Sequence, residues 1–269
     1  MAEGEKSPRQ LMAIGVLGGL ICIYIAHYLN SGTNSAWFSF IAALGAILAV
    51  YYGADAVRRV ASYGLGTGVP SIAMLSFGAG QIAVLLGLAV ALNYNIVVAG
   101  PIIALILAAI IGLVNGVMAR RVIKMNIAIM EMSMMEIAMA ASLVILGFST
   151  AIAGSFTFNA IMSYVVASGF IIAVFIVGAM AMFHPFNACL GPDERQLRTL
   201  NLALSTGFIA MLVAGIASGV INGVQAAVPM LIVAIVGWLI YYMRFWADTK
   251  VDAAAVLSTG LIPTEEEVA

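Results

Sequence analysis

The stretch NIAIMEMSMMEIAMAASLVILGF, residues Asn126 to Phe148, is almost wholly apolar yet holds two carboxylates, Glu131 and Glu136. An ionised carboxylate in hydrocarbon is costly, so it must be protonated, paired or turned to a polar cavity. The chemistry open to such groups is the binding of a cation or a proton, with Ser133 and neighbouring backbone carbonyls as further oxygen donors. For a helix entering near Ile127, Glu131 lies about 6 Å deep and Glu136 about 13 Å, at ~1.5 Å per residue. The second depth approaches the middle of a hydrocarbon core of about 30 Å. At ~100° per residue the two side chains point about 140° apart and do not converge as a pair. Packing explanations stand beside the ionic one: Glu131 meeting Lys124 or Arg121 at the interface, and Glu136 as a satisfied packing group. Gln81 falls well inside its own apolar run, where it could share the level of Glu136. Amides such as Gln81 and Asn115 also serve as hydrogen-bond partners between helices.

Other motifs are weaker. GLGTGVPS, Gly64 to Ser71, lacks a preceding strand, a following Gly-Lys-Ser/Thr and a ribose-binding acid, so it is not a phosphate loop. It reads as a loop ending at Pro70, a residue suited to a first helical turn. A gate or backbone-carbonyl ion site built from Gly64, Gly66, Thr67, Gly68 and Pro70 is the functional alternative. Met125, Met130, Met132, Met134, Met135 and Met139 point all around their helix, which favours packing over soft-metal binding. His184 and Cys189 lack the further ligands of a zinc site. Cys22 and Cys189 read as free thiols. No nucleophile–base arrangement can be assembled, so no catalytic residue is expected, and these residues offer no resident metal site.

The elements that position these residues follow from composition. Of 269 residues 64% are hydrophobic and only 9% charged, against roughly 45–50% and 25% in a soluble domain. The chain is an integral membrane protein, and its net charge of -1 excludes a nucleic-acid partner. Eight apolar runs are long enough to cross a bilayer: Leu11–Tyr28, Ala36–Tyr52, Pro70–Leu92, Ile96–Met118, Ile127–Ala151, Met162–Phe183, Leu202–Ser218 and Val228–Phe245. The connections after the first, third, fifth and seventh runs carry no charge, and all eleven Lys and Arg residues fall on the other side. By the positive-inside rule both termini are cytoplasmic.

The expected architecture is therefore an all-α polytopic bundle of about eight transmembrane helices. A cytoplasmic N-terminus spans 1–10, the membrane domain 11–245 and a cytoplasmic tail 246–269. GADAVRRVASYGLGTGVPSIAML and GPDERQLRTLNLALSTGFIAML share enough to hint at a parallel duplication of a four-helix unit. Gly15/Gly19, Gly112/Gly116 and Gly215/Gly219 have the spacing of close helix contacts. The outer connections are short, so partners are expected to dock on the inner side, near Arg58, Arg59, Arg120, Arg121, His184, Asp193, Arg195 and Arg198.

GLGTGVPSIAML, KMNIAIMEMSMMEI and HPFNACLGPDERQLRTL, in that order, resemble the C subunit of the tetrahydromethanopterin S-methyltransferase of methanogenic archaea, over essentially the whole chain. The resemblance implies a non-catalytic subunit of a complex in the archaeal cytoplasmic membrane. That complex moves a methyl group from methyl-tetrahydromethanopterin, or its sarcinapterin variant, to coenzyme M, coupled to sodium export. It further implies that the corrinoid is carried by a partner, that the sister D and E subunits complete the membrane part, and that this chain binds no cofactor of its own. Glu136, with Glu131, Ser133 and Gln81, would then border the sodium path. From the residues alone a stand-alone ion-coupled transporter and a scaffold without ion contact remain open.

Overall fold

The computed structural model describes residues 5–63, 68–187 and 195–257, and contains no strand among them. The helices are α1 (Pro8–Thr33), α2 (Ala36–Ala61), α3 (Gly68–Asn93), α4 (Val97–Arg121), α5 (Met130–Ala153), α6 (Phe158–Val166), α7 (Phe170–Asn187), α8 (Gln196–Asn222) and α9 (Val224–Leu257). The first helix opens on a reciprocal cap. Ser7 Oγ accepts from the Gln10 backbone N–H at 3.3 Å, Gln10 Oε1 accepts from the Ser7 N–H at 2.9 Å, and Pro8 fills the first helical position.

Contacts at the helix ends establish how often the chain crosses. The end of α5 lies with the α1–α2 and α8–α9 turns. Asn30 donates to the Gly154 carbonyl at 3.0 Å and Asn222 to that of Ile152 at 2.6 Å. The start of α8 lies at the opposite face, where Gln196 Oε1 accepts from the Lys6 N–H at 2.8 Å and Gln196 Nε2 donates to Asp55 at 2.9 Å. The segment between α5 and α8 must therefore traverse the bundle, which makes eight crossings and puts residues 5 and 257 on one face. All eleven Lys and Arg residues belong to that face. Exposed Tyr28, Trp37, Tyr94 and Tyr164 ring the other face, while Tyr63, Tyr242 and Trp246 mark the basic one. Aromatic side chains gather in this way at the two edges of a bilayer.

Three boundaries differ most from the sequence reading. The second crossing does not stop at Tyr52 but runs on to Ala61, because the charges beyond Tyr52 are neutralised inside the bundle. The sixth run is broken: α6 and α7 meet at 90°, around Gly169 at φ +82°, a backbone angle that favours glycine. The crossing is α7 alone. Finally, α9 continues to Leu257, so residues 246–257 of the expected tail are helical.

Helix α5 is the hub. In its most apolar window 89% of residues are buried, against 28% for α4 and α9. It packs against α2, α3 and α4, and also touches α1, α7 and α8. Without a hydrophobic drive between helices in lipid, close backbone approach and dispersion supply the packing. Small residues allow it. A Cβ on Gly80 of α3 would come within 2.8 Å of the Ala138 carbonyl, and one on Gly112 of α4 within 2.6 Å of the Met134 carbonyl. Gly116 meets Glu131 Cα, Gly53 of α2 meets Ala140, and Gly219 of α8 meets Ala227 of α9. The expected glycine pairs thus fall at contacts: Gly15 against Tyr52, Gly19 against Gly45, and Gly215 against Leu231. The two halves of the chain are not packed alike, since α2 barely touches α3 whereas α7 runs along α8. What they share is the closing hairpin, α3–α4 and α8–α9.

Filling these contacts forces two backbones apart, at a typical cost of about 1–3 kcal/mol or more. Gly80→Leu and Gly112→Leu are each expected to lower the thermal unfolding midpoint in detergent by several degrees. Gly78→Leu is the control, because nothing lies within 4 Å of its Cβ position, and it is expected to leave the midpoint in place.

Candidate functional site: an ionic cluster at the basic face

The residues able to do ionic chemistry gather where α1, α2, α5 and α8 meet at the basic face. Asp55 is fully buried. Its carboxylate receives Arg58 at 3.1 Å, Arg59 Nε at 2.9 Å and Gln196 Nε2 at 2.9 Å. The two arginines stand three and four residues after Asp55, the spacing at which helix side chains become neighbours. Arg59 then reaches across from α2 to α5 and donates through a terminal guanidinium nitrogen to Glu136 Oε2. Gln196 closes the arrangement by donating to the Lys6 carbonyl at 3.0 Å. Two carboxylates face two guanidinium groups, so the cluster is neutral as a whole. Guanidinium suits this position because its planar fork can serve two carboxylates at once.

Of the states open to a carboxylate in an apolar run, Glu136 takes the paired one, with Arg59. It lies six residues into α5, about 9 Å along the helix at ~1.5 Å per residue, level with the last turn of α2. Desolvating a carboxylate costs several kcal/mol, and the facing guanidinium is what offsets it. Glu131 keeps company with Arg120 at 3.6 Å and Arg121 at 3.8 Å, rather than with Lys124. As the helical angle implied, it does not join Glu136. Ser133 lies between them, fully buried, and its Oγ has no hydrogen-bond partner among the described residues. Tyr52, one turn before Asp55, is also fully buried with an unpartnered hydroxyl. Gln81 is half-buried in the middle of α3 and forms no hydrogen bond with Glu136.

The remaining sequence candidates scatter. Arg58 and Arg59, expected to face a partner, instead turn inward to Asp55, because an unpaired buried Asp55 would cost more than their desolvation. Arg121 is largely exposed and Arg120 about half so. His184 is half-buried in the last turn of α7, and Arg195 is exposed at the start of α8. Pro70 is exposed in the first turn of α3, which begins at Gly68. Gly64, Gly66, Thr67, Asp193 and Cys189 lie outside the described residues. Of the methionines, Met130 and Met134 are fully buried and Met132 is exposed, the distribution of a packing role.

Sequence reasoning missed Asp55, Gln196 and Tyr52. The Asp-x-x-Arg-Arg spacing was a usable signal for the first. Ending the helix at Tyr52, where apolarity stops, hid it. Nothing local marks Gln196, whose role depends on a contact spanning 141 positions.

Removing one member should be worse than removing a pair. Arg59→Met strands Glu136, and a loss of about 3–5 kcal/mol is expected, as when one partner of a buried pair is deleted. Arg59→Met with Glu136→Met leaves Asp55 with Arg58 and Gln196, and is expected to recover most of that loss. Thermal unfolding in detergent reads both, and equal midpoints for single and double variants would show that the two side chains are not coupled.

The family model for the C subunit of tetrahydromethanopterin S-methyltransferase matches residues 1–266. Relatives bearing that name include one from Methanosarcina barkeri, 49% identical over 267 residues, 99% of this chain and 96% of the relative. One from Methanothermobacter thermautotrophicus is 46% identical over 261 residues, covering 96% and 94%. A third, from Methanococcus maripaludis, is 38% identical over 258 residues, again 96% and 94%. Identity at this level over nearly the full length of each chain leaves the eight-crossing bundle and its buried cluster with one assignment: the chain belongs to the family of tetrahydromethanopterin S-methyltransferase C subunits.

Proposed function

We propose that this chain is a non-catalytic membrane subunit of a complex that transfers a methyl group from methyl-tetrahydromethanopterin, or methyl-tetrahydrosarcinapterin, to coenzyme M while exporting sodium ions. The observation that carries this reading is the family match along the full chain. The complex sits in the archaeal cytoplasmic membrane with the basic face inward, in keeping with the eleven Lys and Arg residues gathered there. The sister D and E subunits complete the membrane part, and a partner carries the corrinoid. Arg120, Arg121, His184, Arg195 and Arg198 belong to the face such partners would meet.

Within this assembly Glu136 borders the sodium path. Because the cluster is neutral as it stands, a cation reaches Glu136 only in exchange for the Arg59 guanidinium. Ser133 Oγ, buried without a partner one turn away, is then an available oxygen ligand. Glu131, on α5 itself, and Gln81, on neighbouring α3, are the further polar candidates. Ion coupling requires two states that bind the cation differently, and a two-position guanidinium supplies them. Arg59 with Glu136 is the closed state, and Glu136 with sodium is the open one. Movement of α8 or of the N-terminal segment would bias the exchange, since Gln196 bonds both Asp55 and the Lys6 backbone.

Two measurements test the reading. A tagged chain taken from its own cells in mild detergent is expected to bring corrinoid-containing partners, visible by absorbance. Isolation without them would favour a transporter acting alone. In vesicles holding the complex, Glu136→Gln is expected to abolish the sodium dependence of methyl transfer. Full sodium coupling in an assembled variant would discard the role given to Glu136.

A further inference from the structure

Helices α8 and α9 carry a surface groove that the ionic cluster does not use. Phe208 of α8 and Val236, Gly237, Ile240 and Tyr241 of α9 line it, with Arg244 at its basic-face end. It is shallow and open along its length, with a volume of about 550 Å³. The groove exists because Gly237 has no side chain. A Cβ there would run into the Phe208 ring, so α9 lies close over that ring and leaves a furrow beside it. The floor is rigid, since Phe208 and Tyr241 stack at 5.7 Å with planes 12° apart.

The mouth is charged. Arg244 holds its guanidinium carbon 5.6 Å from the centre of the Tyr241 ring, a cation–π arrangement. It stands twenty residues past the start of α9, about 30 Å along the helix, which is where the hydrocarbon ends. Arg244 forms no ion pair among the described residues. Asp248, one turn on and well placed for it, instead accepts from Asn201 of α8 at 3.3 Å. An exposed, oriented cation at the top of an apolar furrow is complementary to one kind of molecule in a bilayer. It has a negative headgroup and a long hydrocarbon chain. Basic pockets between transmembrane helices hold anionic lipid headgroups in the same manner.

We propose that the α8–α9 groove binds one anionic membrane lipid, its phosphate on Arg244 and its chain along Val236, Gly237 and Ile240. The lipid extends the surface of α9 and seals a furrow that would otherwise lack dispersion contacts.

The test uses the full chain purified in mild detergent with whatever subunits accompany it. Mass spectrometry of the intact assembly is expected to find one phosphate-bearing lipid per chain. Arg244→Gln and Ile240→Trp, the first removing charge and the second filling the furrow, are each expected to lose it. Arg244→Lys is expected to keep it, as is Lys250→Gln, about 9 Å further along α9 and outside the groove lining. Should Ile240→Trp fail to assemble, Val236→Phe takes its place. After delipidation, phosphatidylglycerol vesicles are expected to raise the thermal midpoint of the parent but not of Arg244→Gln. Phosphatidylcholine vesicles and inorganic phosphate are expected to do neither, which separates a lipid from a free anion. Unchanged lipid content in both groove variants overturns the proposal. So does loss with Arg244→Gln alone, which would put the lipid outside the furrow. Release of a partner subunit by Arg244→Gln with lipid content intact assigns the groove to a protein helix and overturns it as well.

Discussion

Arg59 carries a permanent positive charge into the bundle, and the packing of the basic face follows from how that charge is met. Two carboxylates from different helices are required, Asp55 on its own helix and Glu136 on α5. Their geometry couples helices that apolar contacts alone would leave free to slide. A methyl-on-methyl contact tolerates shifts of an ångström, whereas a guanidinium shared by two carboxylates does not. Gln196 adds the start of α8 and the N-terminal segment to the same carboxylate, so four parts of the chain are registered against one buried point. The price of desolvation makes such a cluster a poor source of raw stability and a good source of specificity in how helices align.

The opposite face is held by different means. Asn30, Asn222 and the carbonyls of Ile152 and Gly154 form a seam of neutral hydrogen bonds at the end of α5, and Ser155 joins His27 at 3.1 Å. Helix α5 is thus pinned at both ends and wrapped along its length, with small residues letting its neighbours close in. A hub of this kind transmits a displacement at one end to every helix around it. Among the described residues no large lobe stands outside the membrane, so coupling to partners through them must enter at the ends of these helices.

Much of this was legible in the sequence. Apolar runs separated by charge-free and charge-bearing connections sufficed for eight crossings and for a common side for both ends. The glycine spacings pointed to real contacts because a helix-period repeat of small residues is a local property. The carboxylates in α5 were visible as anomalies, yet their partners were not. Pairing of Glu136 with Arg59 spans 77 positions and depends on the angle at which α2 crosses α5. Asp55 was hidden by a rule that ends a membrane helix where charges begin. The rule fails when opposite charges cancel one turn apart. The break between α6 and α7 escaped for a related reason, since hydropathy measures how apolar a segment is and not whether it is straight.

The bend leaves the crossings unequal. Within the described residues helix α7 runs for 18 residues, about 27 Å, while its neighbour α8 has 27, about 40 Å. A hydrocarbon layer averages about 30 Å, and mismatch is relieved by tilt or local thinning at fractions of a kcal/mol per ångström. Because α7 is packed along α8, it cannot lean on its own. Lipids bordering that flank would meet a shorter apolar surface than those beside α8. A bilayer thinned along that flank would draw neighbouring molecules with a similarly short hydrophobic girdle to that side.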